Sequence, residues 1–138
     1  MSATPKLIST IRNPAIRIQN ADGTAFKTIG VAPVADGSRV KAIHITSDDT
    51  SAQVLQFCVT IGGVDYILGE IAVPIGAGTD SAANSVNGLN PAKMPSLQTD
   101  GIAHWLDLAT GSDLKVRSKT AVNAAKTINV FAEVGDFT

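Results

Sequence analysis

The residues that could carry chemistry in this sequence are few, and their spacing does not combine them. The two histidines, His44 and His104, lie sixty positions apart, and neither belongs to the short HxH or HxxxH pairs that bind zinc. The single cysteine, Cys58, excludes an intramolecular disulfide, and its apolar surroundings predict a buried, inert thiol. His44 stands between Ile43 and Ile45, so its side chain is expected on the opposite face of a strand, toward solvent or a partner. We predict no catalytic residue and no metal site.

Many of the acidic residues lie at positions that are typical of turns. Asp at a turn accepts hydrogen bonds from nearby backbone amides, which explains these positions without a glycosidase pair or a calcium loop. Gly76-Ala77-Gly78 lacks the Lys-Ser/Thr of a phosphate-binding loop and the third glycine of a dinucleotide-binding turn. We therefore expect no cofactor and no enzymatic activity. Six of the twelve acidic residues lie at predicted turns or loops: Asp22, Asp36, Asp48, Asp49, Asp80 and Asp113.

Composition and charge narrow the class of protein further. The length of 138 residues suits one domain, and the hydrophobic residues, 44% of the chain, include many Val and Ile in short runs, which favours strands. Eleven basic and twelve acidic residues are interspersed and give a net charge of −1, so no basic stripe is available for direct nucleic-acid binding. No apolar run reaches the roughly eighteen residues of a membrane-spanning helix. The first residues lack the apolar core of a signal peptide, so we expect synthesis in a host cytoplasm.

Short segments separated by turn residues predict an all-β protein. Their spacing favours an antiparallel β-sandwich or jelly roll of about eight strands. Gly62-Gly63 lies between two of these segments and predicts a two-residue hairpin turn. Residues 1–12 are predicted to be an N-terminal arm or an edge strand, and residues 13–138 a single sandwich domain. The strands are expected at 15–19, 26–31, 39–46, 53–61, 64–73, 103–109, 114–119 and 127–134.

Two alternating segments are expected to supply the core. Residues two positions apart on a strand share a face, which predicts that one face of segment 53–61 packs against Ile128 and Val130. The residues of that face are Leu55, Phe57, Val59 and Ile61.

The stretch 74–101 differs from the rest of the chain in being small, polar and rich in proline and glycine. It predicts one long connection that crosses between the two sheets. Thr79-Asp80-Ser81 resembles a helix cap, so a short helix is expected over 82–89.

The order of several local patterns resembles that of small jelly-roll-like phage virion proteins. The resemblance covers residues 40–136. It begins with a hydrophobic strand and a glycine hairpin, Phe57-x-x-x-Ile61-Gly62-Gly63. A strand containing Leu68-Gly69-Glu70 comes next, and the chain leaves this strand through Val73-Pro74-Ile75-Gly76-Ala77-Gly78. Gly111-x-x-Leu114-x-Val116 and a closing Ala121-Val122-x-Ala124-x-Lys126-Thr127-Ile128-x-Val130 follow. The resemblance implies a head decoration or cement protein on the capsid surface. Its partner would be the major capsid protein, and it would act as a homo-oligomer such as a trimer, without an active site.

The two ends of the chain are the expected partner contacts. They carry apolar residues without a neighbouring run of charged residues that would protect an exposed strand edge. These residues are Leu7, Ile8, Ile11 and Phe137. Such unprotected ends favour contact with a neighbouring subunit or the capsid. The alternative function is a ligand- or sugar-binding module of a tail or secreted protein, with Trp105 and the loop acids as its site.

Overall fold

The computed structural model describes residues 7–30 and 35–137 and contains eleven strands. Residues 1–6 of the predicted arm, residue 31 of the predicted 26–31 strand, and residue 138 lie outside the described part. Within the described residues, the 3₁₀ turn Asn20–Asp22 is the only helical element, and no helix is long and apolar enough to span a membrane. The strands are β1 (Ile8–Arg12), β2 (Ala15–Gln19), β3 (Lys27–Thr28), β4 (Ser38–Ser47), β5 (Gln53–Ile61), β6 (Val64–Val73), β7 (Val86–Asn87), β8 (Gln98–Thr99), β9 (His104–Leu108), β10 (Ser112–Ser118) and β11 (Thr127–Phe137).

The strands form two antiparallel sheets. Sheet 1 has the order β1-β11-β4-β9-β8, with β2 also beside β11 and β7 also beside β4, and sheet 2 has the order β3-β10-β5-β6. Because β4 occupies one side of β11, β1 and β2 pair with successive parts of its other side and make one edge strand interrupted at Pro14. The chain passes repeatedly between the two layers. The predicted antiparallel sandwich is confirmed. Each of the eight predicted segments overlaps a strand, although the one predicted at 26–31 is reduced to Lys27–Thr28, and β1, β7 and β8 raise the number to eleven.

The core lies between the sheets and is built from alternating residues of both. Leu55, Phe57 and Val59 of sheet 2 and Ile128 and Val130 of sheet 1 are all buried, as predicted.

The fourth predicted core residue of β5, Ile61, is 51% exposed, so that part of the prediction is wrong. Ile61 shares a face with Val59, and its cross-strand partner Val64 is equally exposed. The end of the β5–β6 hairpin therefore reaches beyond the area that sheet 1 covers.

The hairpin between β5 and β6 closes through Gly62 and Gly63, as predicted. Ile61 pairs with Val64, and the two glycines have φ angles of 59° and 80°. Positive φ at both central residues is the requirement of a type I′ turn, which glycine meets without strain.

The long connection after β6 crosses from sheet 2 to sheet 1, but the helix predicted over 82–89 is wrong. Ser81, which directly precedes this segment, has a φ of 67°, so it does not have the extended backbone of a helix N-cap. The Asp80 carboxylate instead accepts hydrogen bonds from the amides of Ala82 (2.9 Å) and Ala83 (3.2 Å), closing a local turn. The short strand β7 follows within the same stretch.

Candidate interaction surface

One end of the outer face of sheet 1 carries a row of outward-facing residues across four strands. Ile11 of β1 pairs with Gly135 of β11, Gly135 pairs with Arg39 of β4, and Arg39 pairs with Asp107 of β9. Directly opposed residues of antiparallel strands point to the same face, so this row defines one surface. Ile11 is 72% exposed on it. We call the surface made by Ile8, Ile11, Arg39, Trp105 and Phe137 the Arg39 patch.

Arg39 is the centre of this patch, and three side chains hold it. Its guanidinium carbon lies 4.6 Å from the centre of the Trp105 ring and 5.4 Å from that of Phe137. Its Nε donates to Asp107 Oδ1 (2.8 Å) and its Nη2 to Asp107 Oδ2 (3.2 Å), and these bonds to the carboxylate raise the pKa of Arg39. Among the described residues, Trp105 Nε1 is buried without a hydrogen-bond partner. The patch therefore presents a pre-positioned Arg–Trp pair, the residue types that dominate binding energy in protein interfaces.

The predicted partner contacts lie around this centre. Ile8 pairs with Phe137 across β1 and β11, and Ile8 also covers Gly135. Leu7, which directly precedes β1, is 69% exposed. The structure thus brings Ile8, Ile11 and Phe137 onto one surface, with Leu7 at its margin. Sequence reasoning did not assign Arg39 to this site, because alternation predicts only that Arg39 faces outward and not which rings it meets.

A partly buried ion pair fixes β1 beneath the patch. Arg12 of β1 donates from Nε and Nη2 to the two carboxylate oxygens of Asp136 at 2.8 and 2.9 Å, and the Ser38 hydroxyl donates to the same carboxylate at 2.7 Å. Asp136 is only 4% exposed. The bonds from Arg12, followed by that from Ser38, outweigh desolvation and lower the pKa of Asp136. This network joins three neighbouring strands, so it holds Ile8 and Ile11 in place.

A groove opens farther along the same face, and both histidines line it. Its volume is about 480 Å³, and His44, His104 and Lys41 contribute to its walls. Lys41 is an extra residue at a β-bulge, since Ala42 pairs with Glu133 and Val40 with Val134. His44 faces outward between buried neighbours, as predicted. No group of three or more metal-binding side chains occurs in the described residues. We call this feature the Lys41 groove.

The end of the β5–β6 hairpin is a second apolar surface. All seven residues of 61–67, which we call the hairpin tip, are exposed. Four of them are large apolar residues that are each more than half exposed: Ile61, Val64, Tyr66 and Ile67.

Cys58 and the turn residues Asp48 and Asp49 have surroundings that fit a structural role. The Cys58 thiol is buried, as predicted, and desolvation raises its pKa, which disfavours the reactive thiolate. The Asp48 carboxylate accepts from the amide of Thr127 at 2.7 Å. Asp49 is buried, and although desolvation alone would raise its pKa, hydrogen bonds from Gln53, Asn123 and a backbone amide lower it overall. These two acids thus serve as the loop-fixing residues that turn chemistry predicts.

Comparisons with known proteins complete the description. No family model matches this sequence, and no curated protein matches it significantly. Among solved structures, a pentameric capsid protein isolated from metagenomic phage sequences is similar at 20% identity and a TM-score of 0.40. The match covers 90% of this chain and 59% of that capsid protein, so this chain spans less than two thirds of its length. At this level the likeness carries no conclusion about the role of this chain.

Proposed function

We propose that this chain is a non-enzymatic structural subunit of a phage particle, namely a decoration subunit that binds the major capsid protein on the capsid surface. It acts as a homo-oligomer such as a trimer. Two features support the proposal. The order of strands, glycine turns and exits in residues 40–136 resembles small virion proteins, and the fold is the antiparallel sandwich that this resemblance implies.

The observation that carries the proposal is the Arg39 patch. It combines the exposed Ile11 and the half-buried Ile8 with an arginine that lies against two aromatic rings and a carboxylate. A monomer gains little from holding exposed apolar groups around an ordered cation, whereas a partner that covers them removes apolar area from water at roughly 25 cal/mol per Å². The patch is thus suited to adhesion.

The proposed mechanism is adhesive. The patch lies on the rigid face of sheet 1, and the ion pair between Arg12 and Asp136 fixes its outermost strand. Attachment then needs little ordering of the surface, which reduces the entropic cost of binding. A subunit that contacts two neighbouring capsid subunits in this way adds buried area and so stabilises the shell.

The alternative of a sugar-binding module centred on Trp105 has weaker support. Sugars stack on open ring faces, and the guanidinium of Arg39 already lies 4.6 Å above one face of this ring. The same arrangement suits a protein interface, in which the arginine and the ring are buried together.

Co-sedimentation with undecorated capsid shells of the phage that carries this gene tests the proposal. We expect the wild-type protein to pellet with the shells and Ile11→Asp to bind at least about tenfold more weakly, because a charge would be buried in the interface. Ile75→Asp is the matched control, since Ile75 is 53% exposed on the connection after β6 and lies outside the patch. Failure of the wild-type protein to bind, or equal binding of the two variants, would refute the assigned attachment surface.

A further inference from the structure

We propose that the hairpin tip of one copy of this chain docks into the Lys41 groove of a second copy. The inference rests on the homo-oligomer in the proposed function and names the two surfaces that join its subunits. These surfaces share no residue with the Arg39 patch, so different variants test self-association and capsid attachment.

The hairpin tip has the composition of an interface rather than of a free turn. Ile61, Val64 and Tyr66 lie on one face of the hairpin, because Ile61 pairs with Val64 and Tyr66 pairs with the inward-facing Val59. Ile67 lies on the other face beside Cys58. Four large apolar side chains within seven consecutive exposed residues make a contiguous patch, and such patches mark contact sites.

The strand edge at the tip is also unprotected. β6 is the last strand of sheet 2. Residues 64–67 carry no lysine or proline, the usual guards of an exposed edge. By contrast, the β1–β2 edge is interrupted by Pro14, and β3 and β8 have two residues each.

The Lys41 groove has a complementary character. Leu89 and Ile102 give it apolar walls, and Ile102 is almost fully exposed at its rim. Its ionisable lining residues are Lys41, His44 and His104, and no acidic side chain lines it. The volume of about 480 Å³ is sufficient for two or three side chains of a hairpin.

Charge favours a second copy as the occupant. Asp65 is the only acidic residue of the hairpin tip, and its described partner is the Thr60 hydroxyl at 2.5 Å, with no cation beside it. Lys41 likewise has no ion pair among the described residues, whereas His44 lies 3.7 Å from Glu133. Each subunit therefore offers one acid without an ion pair on an apolar projection and one base without an ion pair in a recess with partly apolar walls. A net charge of −1 adds almost no long-range repulsion between copies.

The two surfaces lie on different sheets, so the contact is head-to-tail. The tip extends from the edge of sheet 2, and the groove lies on the outer face of sheet 1. A head-to-tail contact closes into a ring when its rotation permits and otherwise grows into a filament. Every subunit of a ring would use one tip and one groove, and its Arg39 patch would stay available to the capsid.

A charge-swap experiment on the purified protein tests the inference. Light scattering coupled to size exclusion should show a multimer for the wild type. Asp65→Lys and Lys41→Glu should each raise the concentration of half-dissociation about tenfold or more, because like charges then face each other. The double variant should restore the multimer. Asp22→Lys with Lys27→Glu is the control, since these changes exchange the same charges near β3, at the opposite edge of sheet 2 from the tip. A monomeric wild type, single variants that remain multimeric, or a folded double variant that stays dissociated would overturn the proposal.

Disulfide crosslinking tests the same contact without having to disrupt it. In a Cys58→Ala background, the combined Asp65→Cys and Lys41→Cys changes should form disulfide-linked ladders under oxidation, and Lys41→Cys alone should form none. The absence of ladders from a folded double variant would contradict docking of the tip into the groove. Capsid co-sedimentation of the dissociated single variants separates the two proposals, because loss of the multimer with retained binding leaves the attachment role intact.

Discussion

Ile8 lies directly over Gly135, so closely that a Cβ added at position 135 would lie 2.6 Å from Ile8 Cγ2. The glycine is therefore a packing requirement, because it opens the surface of β11 to a side chain from the edge strand. The backbone of Gly135 does not have positive φ, so the need is for space and not for conformational freedom.

Gly135→Ala should consequently destabilise the protein by about 1–3 kcal/mol, the usual cost of overpacking. Chemical denaturation measures this change. Adding Ile8→Ala should recover part of the loss, since it removes the atoms that the new methyl group meets. Equal stability of Gly135→Ala and the wild type would show that β1 shifts without cost.

The core can be tested at its largest side chain. Phe57 is completely buried, so Phe57→Ala should lower the free energy of unfolding by about 3–5 kcal/mol. In the Lys41→Glu background, in which the proposed contact between copies is lost, Ile61→Ala on the same face should change it by less than about 0.5 kcal/mol, because Ile61 is largely exposed in the single chain. Thermal or urea unfolding of both variants measures the difference. Similar losses would show that the hairpin tip is covered in solution.

The sequence predicted the fold well where strands are long. The bounds of β2, β5 and β6 agree with the predicted 15–19, 53–61 and 64–73, because alternation and flanking turn residues define these segments. β7 and β8 escaped prediction because two residues cannot show a period. The helix over 82–89 was wrong because a cap-like sequence does not reveal that Ser81 adopts positive φ.

The candidate site was only partly predictable. Exposed apolar ends indicated Ile11 and Phe137, but the contact between Arg39 and Trp105 joins residues of β4 and β9. Such pairings depend on the register between strands that are far apart in the sequence, which composition and periodicity do not encode. The exposure of Ile61 was missed for a related reason, since alternation identifies a face but not where the opposing sheet ends.

Acid should weaken the protein partly through Asp136. Its folded-state pKa lies below the ordinary value of 3.8, so its stabilising contribution is complete above that value and is lost as the pH falls through it toward the lower folded-state pKa. Asp136→Asn should therefore cost roughly 1–3 kcal/mol at pH 7 and less at pH 3. Urea unfolding at both pH values measures this gap. The acid response of Asp49 is common to both proteins and cancels in the comparison. A gap that does not shrink at pH 3 would exclude an ionic role for this carboxylate.

Deleting residues 1–12 should separate the two proposed interfaces. The deletion removes β1, and with it Ile8 and Ile11 of the patch and the arginine that pairs with Asp136. We expect a loss of roughly 3 kcal/mol or more in unfolding free energy, because a buried carboxylate keeps only its Ser38 partner. Circular dichroism should still show a β-protein, since β2 continues to pair with the first half of β11.

The deleted protein should fail to pellet with capsid shells but should remain a multimer, because neither the hairpin tip nor the Lys41 groove involves β1. A shorter deletion of residues 1–6 is the control and should bind the shells as the full chain does, since it leaves all of β1 in place. A protein without residues 1–12 that dissociates into monomers yet still binds the shells would reverse the assignment, giving β1 to the contact between subunits and leaving the hairpin tip for the capsid.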